Sequence, residues 1–342
     1  MTRPARPDPY AHTLPLVKAE PSRVLRTTVG LRPYRPDGFV VRAEQLADKT
    51  LIHDYGHGGS GVTLCWGTAQ MAIELLGHRP VDRAAVIGCG VIGLATARLL
   101  QRRGVPVTIY TAEQTPNTTS DRSGAFWAPF GLVDDDRMTP EISDRIAQAG
   151  RIAFAEFRLL MNDPKYATSQ LPMYYFSDGP PEPTLEEKLL PDLFGGVTLR
   201  PGEHPFGQRY ARVMDGLAIE PTPFVRALQQ DFLYAGGKIV TRKLASRDEL
   251  ATLPEPVIFN CTGLGSRELA NDETLIPMKG QLTFLQPQPE IDYMLGVPKS
   301  RLYMMPRSDA IVIGTSLVRN NWSLEPDAKE VTRVLSGIKR LR

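Results

Sequence analysis

An apolar strand that runs straight into three spaced glycines leaves a chain few options. Residues 85–93 read Ala-Val-Ile-Gly-Cys-Gly-Val-Ile-Gly, which places Gly88, Gly90 and Gly93 in the spacing G-x-G-x-x-G. A helical run over 94–100 follows, Gly104 stops it, and a second strand-like run, Val107-Thr108-Ile109-Tyr110, comes next. In such a β-α-β unit the first glycine allows the tight turn. The second lets backbone approach a pyrophosphate, and the third lets helix pack on strand. The helix N-terminus offers free N–H groups and a partial positive charge to the phosphates. Gly88, Gly90, Val91, Ile92 and Gly93 are therefore expected along a dinucleotide pyrophosphate. Glu113 stands about 20 residues further on, where an acid would hydrogen-bond a ribose hydroxyl.

The chain of 342 residues is long enough for two domains with a sizeable core. Its net charge of +2 is too small to argue for a nucleic-acid partner. Cys65, Cys89 and Cys261 are scattered and form no disulfide framework, and the five histidines have no metal-ligand spacing. No uninterrupted apolar stretch of about 18 residues suggests a membrane span. The N-terminal residues do not read as a secretory signal, so a cytoplasmic location is expected.

In chain order, residues 1–21 are proline-rich and read as an extended arm lying along the body. Short strand pieces are expected over 24–41, a glycine-dense loop over 54–61, a helix over 62–76 and a polar linker over 78–82. A hydroxyl-rich loop over 115–124 precedes a long amphipathic helix over 140–161. Residues 173–176 are strand-like, 178–204 read as irregular, 222–234 as a helix and 238–242 as a strand. The apolar run 256–263 suits a parallel sheet covered on both faces. Residues 280–285, 301–305 and 310–313 are antiparallel candidates, and 328–341 is a final helix. An α/β nucleotide domain with a sheet-rich partner follows.

Six stretches together resemble the D-amino-acid oxidase family of FAD enzymes. They are Val-Gly-Leu-Arg-Pro-Tyr-Arg-Pro (29–36), Asp-Tyr-Gly-His-Gly-Gly-Ser-Gly-Val-Thr-Leu-Cys-Trp-Gly (54–67) and Val-Ile-Gly-Cys-Gly-Val-Ile-Gly-Leu (86–94). Thr-Thr-Ser-Asp-Arg-Ser-Gly-Ala-Phe-Trp-Ala-Pro (118–129), Asn-Cys-Thr-Gly (260–263) and Tyr-Met-Met-Pro (303–306) complete the set. In that family the glycine fingerprint opens the chain and the first two motifs close it. Here the closing motifs come first, so the sequence looks like a circular permutation joined at 78–82. The resemblance implies an α/β fold: a Rossmann-type FAD-binding domain with an antiparallel or mixed-sheet substrate domain. The expected division gives an arm over 1–23, an FAD-binding domain over 33–135 and 208–266, and a substrate domain over 24–32, 136–207 and 267–342.

The same resemblance implies FAD as cofactor and oxidative deamination of D-amino acids. Hydride would leave Cα for flavin N5, oxygen would reoxidise the flavin to give hydrogen peroxide, and the imino acid would hydrolyse to a 2-oxo acid and ammonia. Arg32 would grip the substrate carboxylate, since a guanidinium fork matches it with two parallel hydrogen bonds. Tyr303 would share that carboxylate, and the Gly59 carbonyl would accept from the substrate amine. Gly58, Gly59, Ser60, Gly61, Val62 and Thr63 would meet the flavin's pyrimidine edge. Thr118, Thr119 and Ser120 would reach the diphosphate, Gly124, Ala125, Phe126 and Trp127 would run along the isoalloxazine, and Leu244 and Thr262 would lie near adenine and phosphates. His57 would contact the flavin edge without taking a substrate proton.

Two departures from the family pattern stand out. Lys299 occupies the place of a lid tyrosine, within a short loop over 292–302, and Ala128 replaces a glutamine that can face substrate. Lys299, Arg301 and Arg319 read as exposed charge, with selection of an acidic substrate as the other reading. The expected partners are a D-amino acid and oxygen, with a homodimer as the candidate assembly. Two other readings stay open: a flavin-binding protein without oxidase activity, and an NAD(P)-dependent dehydrogenase resting on the glycine fingerprint alone.

Overall fold

The computed structural model describes residues 14–124, 126–207 and 209–341. Strands β1 (Val24–Tyr34), β2 (Val40–Leu46) and β3 (Lys49–Tyr55) lead into helix α1 (Gly61–Glu74). Then come β4 (Ala84–Ile87), α2 (Val91–Arg102), β5 (Val107–Thr111), α3 (Pro140–Leu160), β6 (Thr168–Ser177), α4 (Leu185–Leu189), β7 (Val197–Leu199) and β8 (Tyr210–Ile219). The remainder is α5 (Pro221–Tyr234), β9 (Lys238–Thr241), α6 (Arg247–Ala251), β10 (Val257–Asn260), α7 (Ser266–Leu269) and β11 (Ile276–Leu285), then β12 (Met294–Val297), β13 (Leu302–Pro306), β14 (Ile311–Gly314), β15 (Val318–Arg319) and α8 (Ala328–Lys339).

One sheet has the order β2-β3-β10-β4-β5-β9. Its neighbours run parallel except for β2 on β3. All four residues of β4 and all four of β10 are buried, as their uninterrupted apolar runs require. Helix α2 turns Leu94, Leu99 and Leu100 inward, and each such side chain stabilises the fold by about 1.5–3 kcal/mol. The other sheet has the order β1-β11-β14-β13-β12-β6-β8-β7, with β15 on β11. It is antiparallel except where β12 meets β6. Strand β1 is one unbroken strand rather than short pieces. It tolerates Pro33 because it forms the edge of the sheet.

The segment carrying β1–β3 does not fold apart. Strand β1 pairs along β11, and β3 lies beside β10, one strand from β4. Residues 14–20 lie along the body as expected of the arm. Val17 and Ala19 are buried, and the Lys18 amide donates to Gln288 Oε1 at 2.8 Å. The rest of the arm, residues 1–13, lies outside the described residues.

Four expectations need correction. Strand β8 pairs with β6 and β7, so residues 210–219 belong to the antiparallel sheet, not to the FAD-binding half. Pro33 and Tyr34 likewise end β1 in that sheet. Helix α3 packs on α1 and so attaches to the dinucleotide side. Residues 178–204 are not wholly irregular, since they hold α4 and β7.

Candidate active site

A cavity of about 360 Å³ opens at the carboxyl ends of β3, β4, β5, β9 and β10 and is walled on its other side by β1, β11, β13 and β14. The carboxyl edge of a parallel sheet is where such folds bind ligands. At the dinucleotide end, Gly88, Gly90, Val91 and Ile92 line the cavity. The Val91 amide, at the start of α2, donates to Ser120 Oγ at 3.0 Å, which ties the hydroxyl-rich loop to the helix N-terminus. Thr118, Thr119, Ser120, Glu113, Leu244 and Thr262 line the same end. Gly93 stands behind the cavity, where a Cβ would fall 2.0 Å from the Gly88 carbonyl oxygen.

At the other end lie Gly58, Gly59, Gly61, Val62, Thr63, Gly124 and Phe126. Thr63 Oγ1 donates to the Ala128 carbonyl at 3.1 Å, so its hydroxyl braces the loop rather than standing free. Two expected contacts are corrected here. Ser60 is fully buried and does not line the cavity; its hydroxyl donates to the Phe130 carbonyl at 2.7 Å. Trp127 turns away and stacks on Phe194, with ring centroids 5.2 Å apart. Ala125 lies outside the described residues. The His57 ring shares a 2.9 Å hydrogen bond with Thr68 through Nε2 and stacks on Phe39.

Arg32 projects from β1 into the cavity. Its Nη2 donates to Thr315 Oγ1 at 3.0 Å and its Nη1 to the Ser316 carbonyl at 3.3 Å, both neutral acceptors. Among the described residues no carboxylate pairs with it. Burial pulls the guanidinium down to about 10, the mark of a charge shielded from water without a counter-ion. Arg35 differs, since its Nε is spent on Asp272 Oδ2 at 2.7 Å. Tyr303 lines the cavity beside Phe126 and Phe130, with ring centroids 5.3 and 6.0 Å away. Burial, helped by the charge of Glu186, pushes its phenol up to about 12, so it stays a neutral donor. Of the cations weighed for an acidic substrate, Arg319 is bound to Asp134, and Lys299 has a side chain 90% exposed.

Gly280 makes room for the fork of Arg32. A Cβ there would sit 1.7 Å from Nη1. Gly280→Ala is expected to push the guanidinium aside and weaken binding of a carboxylate ligand in this cavity by about tenfold or more; ligand titration of the purified protein checks this.

The sequence reading missed Arg242 and Lys243, which add positive charge beside Leu244, and Arg122 and Asp54, which also line the cavity. The Arg242-Lys243 pair immediately before Leu244 was the available signal. Asp54 is buried with neither carboxylate oxygen hydrogen-bonded. His57 Nε2 stands 3.2 Å from Oδ1, but that ring nitrogen is engaged by Thr68. A polar group buried and unpaired at a cavity wall calls for a ligand donor. The glycine-lined helix terminus, basic residues and flat aromatic end together fit a dinucleotide that carries a polar ring system.

A family model described as FAD dependent oxidoreductase matches residues 10–75 and 83–342. The chain belongs to the FAD-dependent oxidoreductase family. A D-amino acid oxidase of Dugesia ryukyuensis is 29% identical over 265 residues, covering 75% of this chain and 76% of the relative. A D-amino-acid oxidase of Rubrobacter xylanophilus is 30% identical over 272 residues, covering 77% and 79%. A human D-aspartate oxidase is 27% identical over 264 residues, covering 74% of each. Among solved structures, L-proline dehydrogenase from P. horikoshii superposes with a TM-score of 0.56 at 16% identity, covering 76% of this chain and 77% of that one. Glycine oxidase from Bacillus cereus gives 0.55 at 13% identity, covering 76% and 78%. These likenesses show the fold. As a member of this family the chain is an FAD enzyme, and the reading as an NAD(P)-dependent dehydrogenase falls away. No described helix is long and apolar enough to cross a membrane.

Proposed function

We propose that this flavoenzyme oxidises D-amino acids to 2-oxo acids, with ammonia and hydrogen peroxide as co-products. The observation that carries this reading is the unpaired guanidinium of Arg32 facing Tyr303 across one cavity. A fixed cation beside a neutral phenol suits an α-carboxylate. The curated relatives named D-amino-acid oxidase and D-aspartate oxidase support a D-amino acid as substrate.

FAD held in this cavity would supply the two-electron acceptor for the Cα hydride and the route by which oxygen takes up those electrons. The chain's own residues do the positioning. Gly88, Gly90, Val91 and Ile92 hold the pyrophosphate at the α2 N-terminus, and Glu113 takes the ribose. Arg32 and Tyr303 would fix the carboxylate and the Gly59 carbonyl would accept from the amine, which together would orient the substrate. No acid–base pair is needed beyond solvent, and orientation supplies much of the rate.

The chain order is read as a circular permutation of the family. The two separately matched segments and the integration of β1–β3 into both sheets support it.

An anaerobic absorbance titration of the purified yellow protein tests the oxidase reading. D-amino acids are expected to bleach the flavin, and their L-enantiomers to leave it unchanged. A tightly held flavin that no D-amino acid reduces would favour a binding role without oxidase activity.

A further inference from the structure

A second cavity, of about 820 Å³, meets the first at Phe126, Phe130 and Tyr303. Its floor is a row of residues in register across three strands. Gly296 of β12 stands opposite Tyr303 of β13 on one side and Tyr175 of β6 on the other. A Cβ at 296 would meet both phenol rings at 3.1 Å, so the two rings close over the glycine and form a continuous aromatic floor. The far wall is Glu186 of α4, only 5% exposed, whose Oε1 accepts from the Tyr175 hydroxyl at 3.0 Å.

The charges around this cavity are unevenly matched. Arg212 is held by Glu187, with Nε 3.0 Å from Oε2. Arg209 is held by Asp178 at 2.8 Å, and Arg333 by Glu330 at 2.7 Å. Lys299 reaches toward Asp178 from the exposed rim. Glu186, the one buried acid lining the cavity among the described residues, has neutral partners only, Tyr175 and Thr184, while Arg340 and Glu182 line it without an ion pair. Burial holds its carboxyl above the usual range, the cost of a carboxylate kept from both water and a cation. Strand spacing of about 4.8 Å puts Tyr175 roughly two spacings from Tyr303, a span for a long side chain rather than a short one.

We propose that the larger cavity is the side-chain compartment of the substrate site, and that Glu186 selects D-amino acids whose side chain ends in an ammonium or guanidinium group. This rests on the oxidase reading above. With the α-carboxylate on Arg32, a lysine-type stem passes Phe126, Phe130 and Tyr303, where the two cavities meet, and brings its cation to the oxygen that Tyr175 orients. An acidic side chain meets Glu186 as a like charge.

The test measures peroxide-coupled kcat/KM on the FAD-loaded enzyme for D-lysine, D-arginine, D-norleucine and D-glutamate. D-Lysine is expected to exceed its neutral isostere D-norleucine by about tenfold or more, with D-glutamate poorest. Glu186→Gln is expected to lower the D-lysine to D-norleucine ratio by about tenfold, chiefly through KM for D-lysine. If that variant does not retain FAD, Tyr175→Phe is used, and the same ratio is expected to fall by a smaller factor. Equal wild-type values for the two isosteres, a preference for D-glutamate, or an unchanged ratio in the variant overturns the assignment while leaving the oxidase reading in place. Failure to oxidise any D-amino acid overturns both.

Discussion

Arg32→Met is expected to lower kcat/KM for every D-amino acid substrate by about two to four orders of magnitude without loosening the fold. The guanidinium offers two charge-assisted hydrogen bonds to a carboxylate, each contributing about 1.5–3 kcal/mol, and every 1.4 kcal/mol is about tenfold. Its protein partners are only the Thr315 hydroxyl and the Ser316 carbonyl, so methionine breaks no ion pair. Replacing a shielded, unpaired charge by an apolar side chain of similar length is neutral or stabilising. The thermal midpoint should therefore hold or rise while activity collapses. Arg32→Lys should recover only part of the loss, because a point charge lacks the fork. Since the guanidinium stays charged to about 10, carboxylate binding by the wild type should hold across neutral pH. KM should rise only as the pH approaches that value. Steady-state kinetics over a pH series, beside thermal unfolding of each variant, checks all three expectations. A large fall in thermal midpoint with unchanged KM would mean that Arg32 supports the fold instead.

The parts of this site that were legible in the sequence are those where backbone geometry dictates residue type. A turn at φ +104° and a helix packed against a strand leave little choice but Gly88 and Gly93, and such demands show in a bare string of letters. Which of two arginines is left free to meet a ligand is another matter. Arg32 and Arg35 sit in one motif three residues apart, and only the fold brings Asp272 to Arg35 and leaves Arg32 unpaired. Ser60 and Trp127 belong to motifs that the family resemblance sets against the flavin. Yet adjacent residues in a turn face opposite ways, and both point into packing behind the cavity wall. Strand β8 escaped notice because Asp215 and Gly216 interrupt its apolar pattern. Glu186 was hidden within a proline-rich stretch read as irregular. Its meaning comes from a tyrosine eleven positions earlier and from arginines paired elsewhere. Charge balance across a cavity built from separate segments is a property of the fold, not of any local pattern.

The second large effect is expected at Gly93. A Cβ there would lie 2.0 Å from the Gly88 carbonyl oxygen and 3.0 Å from its carbon, contacts with backbone that cannot swing aside. Gly93→Ala must push α2 away from the turn that follows β4, and the strain of such overpacking costs about 1–3 kcal/mol. The same displacement moves the first N–H groups of α2 away from the pyrophosphate position that Gly88 and Gly90 define. FAD affinity is therefore expected to fall by about a hundredfold, equivalent to about 2.7 kcal/mol, and the protein to be isolated largely colourless. Gly90→Ala separates the two consequences. Its nearest neighbour would be Ser120 Oγ at 3.2 Å, a side-chain atom whose displacement costs at most its hydrogen bond from the Val91 amide, about 1 kcal/mol, so the apoprotein's thermal midpoint should fall less than in Gly93→Ala. Gly90 itself lines the cavity, so the added methyl takes space from the phosphate and FAD affinity still falls. Thermal unfolding of both apoproteins, with FAD titration followed by flavin fluorescence, reads the two effects independently. If Gly93→Ala kept its FAD affinity within about threefold of wild type, close packing of α2 on the strand would not be what holds the phosphate site in place.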